Sequence, residues 1–480
     1  MKLSAYANYD AVGLATAIAQ GDYSPAEVIE AAIDAIGTLN PRLNAVVMEN
    51  YTNARATSYS GGANRPLSGV PFLIKDVNVF TEDMPTTFSC RFFEGVAPRP
   101  DSEIVKRWRE AGLVVMGKSN TPEFAEDFVC EPSFRGVTLN PWDAGMTTGG
   151  SSGGAGAAVA SGMVPIAHGT DLGGSIRIPA ACCGVYGFKP TTGLNPVDAA
   201  QPELASGFNS DHVLTRSVRD SAAALDATAH PIIGYRYQVH RQVPSYLECL
   251  QQDLPPLRIG VCTTTPVGDQ TPARQVAAVE RVSDFLAAEG HQLTEYAYPD
   301  EFEFGEWMDI LWMFDVVYEI ERRSAETGRA PEAQELEAMT RYLIEMVAAS
   351  DAMVHYRARL SAHQNSVRLM NSMQGLDLLL TPALASDPVA VGEFDSRSDA
   401  FDYHHWAAQG AAFAPFSYVC NMTGQPAASL PVQLAIDEPP CAVQLAGQLG
   451  EDHLLLQVSS MLEGHLDWAA LRPSIWAGTE

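Results

Sequence analysis

Positive charge is scarce in this sequence: 30 lysines and arginines stand against 58 aspartates and glutamates, a formal net charge of −28 over 480 residues. A field of that sign repels nucleic-acid phosphates and anionic membrane surfaces, so neither is an expected partner. Long hydrophobic runs are missing too. No stretch of 18 uncharged apolar residues occurs, and the opening MKLSAYANYDAVGLATAIAQGDYS carries one early lysine but no continuous apolar segment. Neither a membrane span nor a secretory leader is therefore expected. The cysteines Cys90, Cys130, Cys182, Cys183, Cys249, Cys262, Cys420 and Cys441 form no CxxC pair and lie mostly in apolar surroundings. That pattern excludes a disulfide framework or a zinc site and points to buried thiols in a reducing compartment, by default the cytoplasm. Internal repeats and low-complexity linkers are absent as well, so residues 1–480 read as one large soluble domain with a helical elaboration.

What is present is an alternation of helix and strand signals. Ser24-Pro25-Ala26-Glu27 supplies an N-cap, a proline in the first turn and the glutamate of a capping box, ahead of Val28, Ile29, Ala32, Ile33 and Ile36; Gly37 marks the expected end. The β-like runs GVPFLIK (69–75) and GLVVMGK (112–118) flank a predicted helix over 102–111. A second βα unit is predicted from Leu257, with LRIGVC followed by a helix capped at Thr271-Pro272. A long helical stretch, about 302–373, is rich in Met, Trp, Tyr and Glu. The runs DLLLTP and SLPVQL return to strand character before a closing amphipathic helix through LLLQVSSMLEG. The alternation predicts an α/β fold with a mixed or largely parallel sheet.

Between 147 and 193 the composition shifts to glycine, serine and alanine. Val159, Met163, Val164, Ile166, Ile176, Ile178 and Val185 are interleaved there, which a solvated linker would not carry. The tract reads as buried backbone in close approach.

Three patterns compete as carriers of chemistry. GLVVMGKS (112–119) fits the string of a phosphate-binding loop, but its middle residues are a buried strand and a helix precedes it, so the required context fails. Residues 150–154 fit the GxSxG of a hydrolase elbow, a cheap match in glycine-rich sequence, and the eleven histidines mark no triad partner. His168, in an apolar segment, reads as a hydrogen-bonded core residue. The third pattern combines Ser151 and Ser152 with Ser175 further on and Lys75 at the end of an apolar strand. A serine is a poor nucleophile until a base removes its proton, and a lysine buried among Phe72, Leu73 and Ile74 can have its pKa lowered enough to be that base. Glycines beside Ser175 let successive backbone N–H groups converge on an oxyanion. The alternatives are an ordinary Lys75–Asp76 ion pair at the strand end and a structural Asp171–Arg177 salt bridge. Spacing alone does not bring Lys75, Ser151 and Ser175 together.

The string GGSSGG (149–154) followed by GTDLGGSIRIPAACCGVYGFKPT (169–191) closely resembles the hallmark of the amidase signature family. GVPFLIKD (69–76), GKSNTPEF (117–124), DLLLTP (377–382) and NMTGQPAASLP (421–431) resemble further family blocks. The resemblance implies a central mixed β-sheet flanked by α-helices, with a signature core at about 69–193 and a helical substrate-pocket elaboration at about 302–373. It implies acyl transfer with Ser175 as nucleophile, Ser151 as a bridging serine held by a cis peptide after Gly150, and Lys75 as general base. Backbone N–H groups of Leu172, Gly173, Gly174 and Ser175 would form the oxyanion hole, with Ser152, Asp171 and Arg177 in support, and no metal or cofactor is called for. Within the family, NPW (140–142), IAHG (166–169), TTPVGD (264–269) and LLLQVSSMLEGHLDWA (454–469) resemble members that hydrolyse cyclic nylon oligomers and urethanes. Ala442 departs from a common glycine and is expected to reshape a nearby turn. The expected substrates are small, largely uncharged linear or cyclic amides, aryl amides or carbamates. Two alternatives stand beside this: a glutaminase subunit of a tRNA amidotransferase-like complex, and an inactive scaffold, against which the joint presence of Lys75, Ser151 and Ser175 argues. A homodimer is allowed, but no sequence feature fixes an interface.

Overall fold

Ser24 closes a capping box over the helix Pro25–Leu43: its hydroxyl accepts from the Glu27 N–H while the Glu27 carboxylate accepts from the Ser24 N–H. The helix does not stop at Gly37. It continues through Pro41 and ends at Asn44 in the left-handed conformation, because Leu39 and Leu43 extend the buried stripe begun by Val28, Ile29 and Ile36. The computed structural model describes residues 1–480 apart from 58–64, 198–202, 231, 233–238, 301–306, 436–437, 439–440 and 480.

Eleven strands form a single sheet: β1 (Val46–Glu49), β2 (Pro71–Lys75), β3 (Val114–Ser119), β4 (Ile166–Asp171), β5 (Tyr186–Lys189), β6 (Ser210–Thr215), β7 (Arg258–Val261), β8 (Gln292–Glu295), β9 (Leu378–Pro382), β10 (Ala427–Val432) and β11 (Cys441–Gly447). Their spatial order is β1-β3-β2-β4-β6-β5-β10-β11-β9-β7-β8. β2 runs parallel to both β3 and β4, and β7 runs parallel to β8 and β9. The strands between these groups, β6, β5, β10 and β11, pair antiparallel. This is the mixed α/β sheet that the helix–strand alternation predicts. Helices pack on it around several apolar clusters, the first built on Phe72, Ile74, Trp108 and Ile166, a second on Phe188, Leu380, Leu430 and Leu455, and a third on Phe88, Phe93, Phe124 and Phe413.

As its apolar interior predicts, the phosphate-loop string holds β3, a strand buried along its whole length, and its Lys118 meets Thr86 Oγ1 at 2.5 Å and Asp76 at 3.8 Å. Other local expectations change. The stretch at 302–373 is three helices, Trp307–Thr327, Ala338–Ala349 and Ala352–Ser372; residues 302–306 lie outside the described residues. Gly328, at φ +70, lets the chain leave the first, and the Asp351 carboxylate caps the third through the N–H groups of Met353 and Val354. The helix Ala273–Ala288 has no threonine cap: Pro272 occupies the cap position, and the Thr271 hydroxyl is left without a partner. Ala442 lies within β11 opposite Pro431 rather than reshaping a turn. All eight cysteines are free and buried, and no described helix is long and apolar enough to cross a membrane.

The glycine tract is a close approach of backbones. A Cβ on Gly154, in the helix Gly153–Ala160, would lie 2.4 Å from the nitrogen of Asn120 and 2.7 Å from the carbonyl oxygen of Ala45. Main chain cannot give way as a side-chain tip can. Gly154→Ala is therefore expected to lower stability by roughly 1–3 kcal/mol, read as a lower urea midpoint; an unchanged midpoint would contradict the steric account of the tract.

Candidate active site

Parallel pairing sets Lys75 at the end of β2 beside the end of β4, which carries Thr170 and Asp171. Lys75 is fully buried. Its ammonium donates to Ser151 Oγ at 2.7 Å and to Thr170 Oγ1 at 2.8 Å, and both partners are hydroxyls. Burial lowers its pKa to about 7, against the opposing pull of Cys130, Asp211 and Asp171. Asp76, the next residue, turns away: its carboxylate accepts from the N–H and hydroxyl of Thr87 and faces Lys118. The strand-end ion pair with Lys75 does not form.

Ser151 follows a cis Gly150–Ser151 peptide at the start of the helix Gly153–Ala160. Ser152 Oγ meets the N–H and carbonyl of Thr170 at 3.3 and 3.4 Å, and its own N–H donates to the Ser175 carbonyl at 3.2 Å. The two serine-bearing segments are thereby tied together. Ser175 is half-buried and borders a 60 Å³ space together with Gly150, Leu172, Gly173 and Trp312.

The turn that carries Ser175 is braced from beneath. The Asp171 carboxylate accepts from the N–H groups of Gly174 at 2.9 Å and Ile176 at 3.2 Å, and it pairs with Arg177 at 2.7 Å. Burial pushes the Asp171 pKa up, but the charge and hydrogen bonds of Arg177 outweigh it and hold the group at about 2. Arg177 in turn donates to the Ser417 carbonyl, Gln444 Oε1 and Asn421 Oδ1, at 2.6, 2.7 and 2.7 Å. Ser417 Oγ donates to the Gly173 carbonyl at 2.7 Å. One expectation needs correction here: the Gly174 N–H is engaged by Asp171, because Gly174 sits at φ +126 with its main chain folded back over that carboxylate.

His168 is a core residue, as its apolar surroundings suggest. Its Nδ1 accepts from the Lys75 N–H at 3.3 Å, which leaves Nε2–H to face Asp211 at 3.1 Å, and burial lowers its pKa. Its ring nitrogens are thus committed to the Lys75 N–H and Asp211 rather than to Ser151 or Ser152.

Beyond Ser175 a cavity of 580 Å³ opens, sharing Phe128, Gly173, Trp312 and Trp406 with the smaller space. Among the described residues, no carboxylate, ammonium or guanidinium lines the larger cavity. Its walls come from the helical stretch, through Ile310, Trp312 and Tyr342, and from the helix Tyr403–Phe413, through Tyr403 and Trp406. Neither that second helix nor Thr170 is marked as functional by the sequence patterns above, although Thr170 stands in the GTD string two residues after His168.

The strands and the glycine-rich turn bring Lys75 into contact with Ser151 and tie the Ser152 segment to that of Ser175 at one end of the sheet. The Amidase family model matches residues 27–456, and the chain belongs to that family: it hydrolyses carbon–nitrogen amide bonds. It is 33% identical to a 6-aminohexanoate-cyclic-dimer hydrolase of Pseudomonas sp. (strain NK87), over 97% of this chain and 96% of the relative. An acylamidase of Rhodococcus erythropolis is 31% identical over 97% of each chain. A solved structure of 6-aminohexanoate cyclic dimer hydrolase complexed with substrate matches with a TM-score of 0.92 at 32% identity, covering 98% of this chain and 99% of its own.

Asp171→Asn would leave the Arg177 charge buried and unpaired. It is expected to cost about 3–5 kcal/mol at pH 7, measured by denaturant unfolding. Because the folded pKa of Asp171 is depressed, its contribution is complete above the unfolded carboxylate value and is lost below it. The gap between wild type and variant should therefore close as pH falls from about 4 toward about 2.

Proposed function

We propose that this chain cleaves small, largely uncharged amides through a covalent acyl intermediate on Ser175, with Ser151 as proton relay and Lys75 as base. The observation that carries the reading is the Lys75 amine, buried and set 2.7 Å from Ser151 Oγ with hydroxyls as its side-chain partners. A lysine whose pKa is near 7 is neutral in a large fraction of molecules at neutral pH, so it can accept a proton. Lys75 takes the Ser151 proton as Ser151 takes that of Ser175, whose Oγ bonds to the carbonyl carbon. The relay then returns the proton to the departing nitrogen, the C–N bond breaks, and water repeats the sequence on the ester to release the acid. Thr170 holds the amine in line by accepting its second hydrogen bond.

The N–H groups of Leu172, Gly173 and Ser175 stabilise the oxyanion; that of Gly174 instead fixes the turn, with Ser152, Asp171 and Arg177 as its scaffold. The aromatic, uncharged cavity favours aliphatic or aryl groups, and cyclic oligoamides fit it on the strength of the similarity to the cyclic-dimer hydrolases. Carbamates present the same carbonyl to the same serine. The eight unpaired, buried thiols suit a cytoplasmic setting.

Ser175→Ala and Lys75→Ala should each lower kcat at least about 10³-fold with the circular dichroism spectrum unchanged. The test is product release from a panel of anilides, aliphatic amides, nylon oligomers, carbamates and glutamine. Substantial turnover by Ser175→Ala would sink the assignment. For wild type, kcat/KM should rise with pH and level off above about 7, as Lys75 loses its proton; a profile that keeps rising toward 10 would contradict a buried, neutral base.

A further inference from the structure

Phe128 borders both the space at Ser175 and the 580 Å³ cavity, so its ring stands where the two join. What lets the ring lie back is an absence. A Cβ added to Gly410 would fall 2.1 Å from Phe128 Cε2 and 2.3 Å from Cζ, far inside contact distance. The ring is packed laterally against Trp406 at 5.0 Å and Phe394 at 5.6 Å between centroids. Its backbone is fixed as well: the Phe128 N–H donates to Asp127 Oδ1 at 2.7 Å, and the same oxygen accepts from the Trp406 indole at 3.1 Å. Gly410 borders the 580 Å³ cavity as the ring does, so a side chain there would meet the ring at the cavity wall, with Trp406 and Phe394 packed at the ring's flanks.

We propose that Gly410 is a specificity-determining residue: by lacking a side chain it seats Phe128 against the helix Tyr403–Phe413 and keeps open the passage from Ser175 to the apolar cavity. The inference rests on the reading of Ser175 as the reacting serine. Gly410 touches no reacting atom, and its effect is on which substrates reach the serine with their apolar portion housed. A methyl at this position drives the Phe128 ring toward the passage. Short amides, which occupy only the space at Ser175, lose less than those whose chain must pass the ring.

The test is steady-state kinetics on the full chain with acetanilide, hexananilide (lengthened on the acyl side) and 4-hexylacetanilide (lengthened on the amine side). Gly410→Ala should lower kcat/KM for at least one lengthened substrate about tenfold more than for acetanilide, the scale on which apolar pockets discriminate. Adding Phe128→Leu, which shortens the displaced side chain, should recover most of that difference. Equal losses on all three substrates, or a penalty that Phe128→Leu leaves in place, would overturn the proposal. Alanine suits a helix interior better than glycine, and thermal unfolding monitors the fold. Should Gly410→Ala be destabilised, Phe128→Leu alone decides: the ratio of lengthened to short substrate rises if the ring sets the bore and stays unchanged if it does not. A wild type inert on every substrate would overturn the reading of Ser175 and this proposal with it, whereas an active wild type with unaltered ratios would overturn this proposal alone.

Discussion

An amine held out of water without a counter-charge is the constraint around which this molecule is arranged. Lys75 lies at the end of a strand flanked on both sides by parallel neighbours, so solvent reaches it from neither. In that setting the ammonium form is disfavoured, and a hydroxyl partner does not restore it as a carboxylate would. The adjacent Asp76 supplies the contrast. It lies one residue along the chain, yet it is committed to Thr87 and to a different buried lysine, Lys118. Asp76 lies just past the end of β2 with its side chain turned to Thr87 and Lys118, so Lys75 is not neutralised by its own neighbour.

The charge that the site does bury in a pair is used elsewhere. Asp171 and Arg177 face each other beneath the glycine-rich turn, and their remaining hydrogen-bonding capacity is spread over Gly174, Ile176, Ser417, Asn421 and Gln444. A buried ion pair with few other partners contributes little to stability, but one that holds five further groups fixes the position of a turn. This end of the sheet thus holds two opposite solutions to burial. One leaves the Lys75 amine with hydroxyl partners only, and the other locks the Asp171–Arg177 pair so firmly that it does not titrate near neutrality.

Much of this was legible in the sequence, for identifiable reasons. That Lys75 and Ser151 meet and that Ser175 borders the neighbouring space was expected from the long strings around them. The capping box at Ser24 could be read because its signal is local. The end of that helix could not: Gly37 has a stop-like character that tertiary packing of Leu39 and Leu43 overrides. The phosphate-loop string is betrayed as a strand by its apolar interior. The engagement of the Gly174 N–H depends on a backbone torsion that no residue pattern encodes. The cavity walls were the hardest to read, since Phe128, Trp312 and Trp406 come from three distant segments and meet only in the fold. Gly410 carries no local signal at all, because its significance lies in a ring more than two hundred residues away.

The central claim, that a neutral buried lysine draws the proton from Ser175 through Ser151, is tested most directly by the pH dependence of fluorophosphonate labelling, with the modified residue located by mass spectrometry. The account predicts a single label on Ser175 whose rate rises with an apparent pKa near 7 and collapses in Lys75→Ala. Labelling of another residue, or a rate on Ser175 that is indifferent to pH and to the loss of Lys75, would contradict it.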